Sequence, residues 1–412
     1  MIQSDACRRL PPMMSFRPLI NISAEPAWWT LLLAMFLIPF SMAACSLLFS
    51  LLLAVWIVSL LRGESLAPVP AYAFWLSAFA AITLISTMFS RAPLTSLADN
   101  RELLVFLLIP IFQKILNSPR RLRICLGTVL ISAAFSALLG IIMAARSGIN
   151  LDHRLRGLTS HWMTWSGLLM MVFVFFFVWI MPPKEPLLRR RGLITAALLL
   201  VLTALLLSLT RSMWVGTAVS LALYIVIRRP RILLAMAPLM VITWILLPQS
   251  LSNRIRSVAD PSDSTNRDRI HMVYTGWRVF LDNPFTGSGP DTIKQVYPHY
   301  RHPDATQDNP HLHNNFLHIL AERGLPAALV LMMFFISLLL SLLQRRRQGN
   351  PLQRRAATAV FFVVIAFLVA GMFEYNWGDT EIQFLFMFMI SLPFVPGLNR
   401  ANTPCRTETE VS

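Results

Sequence analysis

Residues 311–324 read HLHNNFLHILAERG, three histidines and a glutamate directly ahead of a long apolar run. Metal binding, proton transfer and simple decoration of a water line are all open to such a stretch. His311 and His313 are two apart, a spacing that suits a strand, while the residues after them read as helix. His313 and His318 are five apart and diverge by about 140° around a helix. No cysteine lies nearby, and no Asp or Glu completes a metal-ligand motif. A neutral imidazole beside a cleft suits a general base, and His313, directly before Asn314, is the candidate. An interfacial histidine without a special role remains the alternative, more so for His311 and His318.

Arginine supplies the second chemistry. Arg211, in LSLTRSMW (207–214), falls where two apolar runs adjoin. A charge so near hydrocarbon normally faces a polar cavity, and a guanidinium matches phosphate oxygens with a two-pronged fork. The same position also suits an arginine that snorkels to the headgroups. Arg267 and Arg269, in STNRDRIHM, open a helical stretch of the same polar segment. No D-x-D occurs, and there is no P-loop, G-x-S-x-G or G-x-G-x-x-G, so nucleotide-driven chemistry and a cation-dependent nucleotide-sugar transferase both lack their usual residues.

The elements that must position these residues are helices in a membrane. The chain has 412 residues, 56% hydrophobic and 14% charged, with mean hydropathy +0.60, and apolar runs long enough to span a bilayer recur along it. The expected fold is an all-α polytopic membrane protein of about twelve transmembrane helices, near 25–42, 44–61, 71–89, 101–117, 123–145, 162–181, 192–210, 213–228, 232–248, 325–343, 356–375 and 380–397. The expected organisation is an N-terminal cytoplasmic tail (1–24), helices 1–9 (25–247), a large periplasmic loop with short helices and the candidate motif (248–324), helices 10–12 (325–397) and a cytoplasmic tail (398–412). With a cytoplasmic N-terminus, the inner segments hold 22 of the 36 basic residues and six of the 20 acidic ones. The whole net charge of +16 then falls on one side, as the positive-inside bias predicts, and nucleic-acid binding is not needed to explain it. Arg8 and Arg9 before an apolar stretch, with MAAC at 42–45, resemble a cleavable leader, but the apolar run continues to Leu61 and fits a retained hairpin better. Cys7, Cys45, Cys125 and Cys405 show neither a disulfide framework nor metal spacing.

A polar loop as long as 248–324 is uncommon without a function. Within it, RIHMVYTGWRVFLDN (269–283) places Ile270, Val273, Trp277, Phe280 and Leu281 on one stripe, predicting an amphipathic helix at the interface. PFTGSGP (284–290) ends it in a tight turn. Asn314 or Asn315 can cap a second short helix, stopped at Gly324, with Leu325-Pro326 opening the next span. Tyr274, Trp277, Tyr297 and Tyr300 could stack on sugar faces or simply pack.

A T-R-S at a span end, a loop R-x14-P-x-x-G-x-G (Arg269 to Gly289) and HLHNNFLHILAERGLPAAL together resemble the O-antigen ligase and polymerase superfamily, with the closest likeness to the lipopolysaccharide O-antigen ligases. The likeness covers essentially the whole chain. It implies a glycosyltransferase of the bacterial inner membrane, active site toward the periplasm. Its donor would be O-antigen on undecaprenyl diphosphate and its acceptor lipid A-core, with membrane lipids around it. It implies no cofactor, no metal and an inverting displacement. Residue by residue, Arg211 and Arg269 correspond to the arginines that hold the diphosphate, with Arg267 close enough to compete for the second assignment. His313 corresponds to the general base, and Asn314 lies among the substrate-binding residues. An O-antigen polymerase or a protein O-oligosaccharyltransferase is the alternative within the superfamily. A lipid-linked glycan transporter is the rival from another class, although it would be expected to carry repeats and ionisable residues near midplane.

Overall fold

The computed structural model describes residues 25–147, 154–159, 161–181, 191–228, 230–231, 260, 263–305 and 308–396. The expected ninth span (232–248), the loop's first residues and both tails lie outside these. Helices dominate the described residues, with no strand among them. Among the described residues five helices are long and apolar enough to cross a membrane: α2 (Met42–Leu61), α6 (Pro119–Ser147), α7 (Trp162–Ile180), α12 (Asn315–Gln348) and α13 (Pro351–Ala370). Four shorter apolar helices accompany them: α1 (Glu25–Leu37), α3 (Tyr72–Met88), α8 (Arg191–Leu207) and α14 (Thr380–Ser391). The chain is a multi-pass membrane protein.

The 101–117 run is not the continuous helix its hydropathy suggests. α4 (Pro93–Asp99) leads into a 3-10 stretch, Asn100–Leu107, and only then into α5 (Leu108–Ile115). Pro110 has no N–H to give the preceding turn, and Asp99 turns inward to pair with Arg323, so an α-helix has neither the donors nor the apolar face to run straight through.

At the centre stands α7, buried along nearly its whole length. α13 packs against α7 and α9 (Arg211–Arg228), and α12 packs against α3 and α13. Ion pairs Lys114–Glu64 (3.2 Å) and Arg121–Glu25 (2.6 Å) tie the start of α1, the end of α2, the end of α5 and the start of α6 to one end of the bundle.

The other end carries a compact cap. α10 (Ser264–Asp282) and α11 (Ile293–Tyr300) close over the first turns of α12 around a small core of Met272, Val279, Ile293, Val296, Tyr297, Leu312 and Ala321. α12 breaks at Gly324 (φ 76°), where the sequence places the stop. The 284–290 turn locks into that break: Ser288 and Gly289 N–H donate to the carbonyls of Ala321 and Glu322, and Leu325 N–H donates to Pro284 O. A Cβ on Gly287 or Gly324 would collide with the opposing backbone, so these glycines permit a close approach of two chain segments. From α3, Ser86 donates to Thr286 O at 2.6 Å, and Ser96, on α4, donates to Pro290 O at 2.7 Å. On α10 the predicted apolar stripe faces outward, Ile270, Val273, Trp277 and Leu281 all being exposed, as a helix lying on a membrane surface requires.

Candidate active site

Arg211 is the first residue of α9 and is buried, only 4% exposed. Its guanidinium donates to Asp263 Oδ1 at 3.1 Å and to Asn266 Oδ1 at 3.0 Å. Asp263 in turn caps α10, so one arginine fastens the start of α9 to the start of the loop helix. From the second turn of α10, Arg269 reaches the same space. It is half-buried, and burial pulls its guanidinium below the ordinary arginine range, partly countered by Glu374. Arg267 points elsewhere: it is exposed and lines no part of the cavity. Of the two arginines that spacing leaves open, Arg269 is the one that lines the cavity together with Arg211.

His313 comes to this space from the cap's far side. Its backbone takes φ 45°, the left-handed region that few residues other than glycine adopt. Hydrogen bonds on both flanks hold it there. Asn314 caps α12 by accepting from Leu317 N–H (3.0 Å), worth about 1 kcal/mol in typical helices, and its amide donates to Met372 O (3.0 Å). Asn315 N–H donates to Gly371 O (2.7 Å), while its side chain accepts from Trp377 N–H (3.0 Å). The Asn-Asn pair thus stitches the start of α12 to the turn after α13. Asn314 borders the cavity, but its side chain is already committed to these structural bonds.

That turn delivers a residue the sequence reading did not single out. Glu374 is buried, and its Oε1 lies 2.5 Å from His313 Nδ1. Tyr375 N–H donates to the same oxygen at 3.2 Å. Burial by itself would raise the Glu374 carboxyl, but the charge and hydrogen bond of His313, with help from Arg269, hold it below the usual carboxylate range. In the neutral ring, an ionised Glu374 favours the tautomer with its proton on Nδ1, the one in which Nε2 carries the lone pair. One signal was available: an acidic residue at the edge of an apolar run (FEYNW, 373–377) is costly without a partner.

Arg211, Arg269, His313 and Asn314 line one cavity of about 480 Å³. Its remaining walls include Val215, Ile270, Val273, Met372 and Phe373, so a cationic and imidazole corner opens onto an apolar flank. Among the described residues no group of three or more His, Cys, Asp or Glu is placed to hold a metal ion.

The other two histidines are separated from this chemistry. His318 is buried, stacked on Tyr375 at 3.6 Å, with Nε2 3.2 Å from Glu322 Oε1 and Nδ1 accepting from Leu312 N–H. Glu322 also accepts from Thr292 and Ile293 N–H, and Arg323 bridges it to Asp99. The A-E-R-G stop is therefore a buried polar lock between α12, the 3-10 entrance and α11, and His318 is part of it rather than a residue of the water line. His311 is exposed, beside His318 and Tyr375, and does not line the cavity. Of the loop aromatics, Tyr297 is a core residue, Tyr300 donates to Asp282 at 2.6 Å, and Trp277 and Tyr274 are exposed.

A helical bundle of membrane-spanning character thus carries arginines and a carboxylate-held histidine around one partly apolar cavity, a lining whose chemistry suits an anionic ligand with an apolar part. Residues 196–332 match the family model described as O-antigen ligase, a segment that contains Arg211, Arg269, His313 and Asn314. The match covers about a third of the chain and supports the O-antigen ligase superfamily, whose members are in general glycosyl-transferring enzymes. No curated protein matches the chain. Glu374 lies outside the matched segment.

Proposed function

We propose that this protein is an O-antigen ligase, a glycosyltransferase that moves O-antigen from undecaprenyl diphosphate to a sugar hydroxyl of lipid A-core. The observation that carries the reading is the convergence of Arg211, Arg269 and the His313–Glu374 pair on one cavity. Arg211 and Arg269 hold the diphosphate and stabilise the charge that grows on it as it leaves. His313 Nε2 takes the proton from the attacking hydroxyl, while Glu374 at Nδ1 keeps the ring in the receptive tautomer and stabilises the imidazolium. The hydroxyl oxygen forms the new bond to the anomeric carbon as the bond to the diphosphate breaks, so a single displacement inverts the configuration. The exposed apolar residues Ile270, Val273, Met372 and Phe373 give the polyprenyl chain a path into the bilayer. The cap then faces the periplasm, the protein sits in the inner membrane, and about twelve spans carry the chain across it.

The experiment is an in vitro assay of purified protein with lipid-linked glycan and three separate acceptors: lipid A-core, a second lipid-linked glycan, and a peptide. Transfer to lipid A-core alone supports the ligase. Growth of the lipid-linked glycan would make the protein a polymerase, and glycosylation of the peptide an oligosaccharyltransferase. In the productive assay, Arg211→Ala and Arg269→Ala should each slow transfer by about 10²–10³. Lysine at either position should rescue only partly, because a point charge cannot reproduce the fork. Added EDTA should leave the wild-type rate unchanged. A reaction stopped by chelation and restored by a divalent ion would end the metal-free mechanism.

A further inference from the structure

α9 and α13 rise about 27–30 Å from end to end, and a second concavity opens at their ends away from the candidate active site. There α7, α9, α12 and α13 converge on a cleft of about 770 Å³ lined by Arg228, Arg346, Arg347, Arg354 and Arg355. The five guanidinium groups come from three different helices: the last residue of α9, the last turn of α12 and the first turns of α13. No lining residue is acidic, and the ion pairs among the described residues do not reach Arg228, Arg346, Arg347 or Arg354. Uncharged groups help to hold two of the five: Arg354 Nε donates to Gly349 O at 2.5 Å, and Arg355 lies over the Trp179 ring at 5.9 Å. A topology signal needs only basic residues spread over loops. It does not need five of them turned into one hollow, where like charges repel and a counter-anion is the group that offsets them.

The hollow is also two-sided. Val178, Leu343 and the buried ring of Tyr224 form an apolar wall where the helices enter it, so a ligand there meets cations at one end and hydrocarbon-like surface at the other. We infer that this cleft binds the phosphate of an anionic membrane lipid, with its acyl chains leaving past the apolar wall. Basic pockets between transmembrane helices at headgroup depth suit that ligand chemistry, and the arginine fork suits a phosphate ester. Free phosphate would satisfy the cations but leave the apolar wall without a partner, which is why the lipid is the favoured source.

The test uses the full chain, purified and delipidated, offered equal amounts of phosphatidylglycerol and phosphatidylcholine and read by native mass spectrometry. Wild type should retain phosphatidylglycerol with a preference of roughly fivefold or more, the weight of about one well-placed basic residue. Arg346→Ala/Arg347→Ala/Arg354→Ala should lose that preference. Arg62→Ala/Arg120→Ala/Arg123→Ala removes as much charge from exposed positions outside the cleft and should keep it. Equal losses in both variants, or no preference in wild type, would reduce the cleft to diffuse surface charge. The wild-type comparison stands even where a variant fails to fold. A final arm adds inorganic phosphate: if it displaces the lipid and protects the protein from thermal unfolding as well as phosphatidylglycerol does, the lipid assignment is overturned in favour of a soluble phosphate.

Discussion

The backbone at His313 takes φ 45°, a conformation that costs a non-glycine residue about 1–2 kcal/mol. Capping by Asn314, the Asn315–Gly371 bond and the Glu374 contact together keep it there. Strain held by so many bonds at a cavity wall is what a positioned catalytic group would show. Under the proposed mechanism, His313→Ala should bind lipid-linked donor normally, because the arginines hold the diphosphate, yet transfer on the order of 10²–10⁴ more slowly. Glu374→Gln keeps the size of the side chain but loses the charge, so it should cost on the order of 10–10² in turnover with donor affinity unchanged. Single-turnover kinetics beside a donor-binding assay separate the two: lost binding in either variant would make the pair a binding element. At the residue scale, type and position draw attention to Arg211 and His313, while the choice between Arg267 and Arg269 is not legible in the sequence and only the fold brings Arg269 to the cavity. Glu374 was not legible either, because 61 residues separate it from its partner and only the return of α13 brings them together. His318 misled in the opposite direction. Its place in HLHNNFLH suggests a surface residue, and only the fold buries it against Glu322 and Tyr375.

Between elements, the cap is joined to the bundle by close backbone approach and by a few buried carboxyls, and each junction can be probed. Gly63 (φ 86°) and Gly287 (φ 67°) share the left-handed backbone, but a Cβ at Gly63 meets nothing while one at Gly287 collides with the backbone of Glu322 and Arg323. Gly63→Ala should therefore carry only the conformational cost, about 1–2 kcal/mol. Gly287→Ala should lower the unfolding midpoint in detergent distinctly further, and equal shifts would mean that the turn yields without cost. Asp379 precedes α14 and accepts from Thr164 Oγ1 at 3.1 Å. Burial, reinforced by the charge of Glu374, pushes its carboxyl from 3.8 up to about 8, against a smaller pull from Thr164. A folded-state value above the unfolded one means that its stabilisation is complete below about 4 and is lost as pH rises through about 8. Melting curves across that window should fall more steeply for wild type than for Asp379→Asn; parallel curves would show Asp379 ionised throughout. Hydropathy read most of these elements, including the α12 break at Gly324, because a glycine before Leu-Pro is a local signal. It misread 101–117, where the decisive facts are Pro110 and the tertiary pairing of Asp99 with Arg323.

For the whole molecule, the question is which end faces which compartment. The described helices place Arg211, His313, Glu374 and the cap at one end, and the arginine cleft with the Lys114–Glu64 and Arg121–Glu25 pairs at the other. The one-sided charge excess was legible from composition and loop positions alone. The cleft was not, since it exists only where separate helix ends meet. Basic residues resist translocation, so the arginine end should stay in the cytoplasm and the cap should reach the periplasm. Asp304 lies exposed on the cap, and Gln348 lies exposed at the end of α12. In a cysteine-free background, Asp304→Cys should react with a membrane-impermeant maleimide added outside spheroplasts, and Gln348→Cys only after the membrane is opened. The two positions control for each other, because leakage would label both and a buried thiol neither. Labelling of Gln348→Cys from outside with Asp304→Cys protected would invert the molecule, and with it the compartment in which His313 could meet an acceptor.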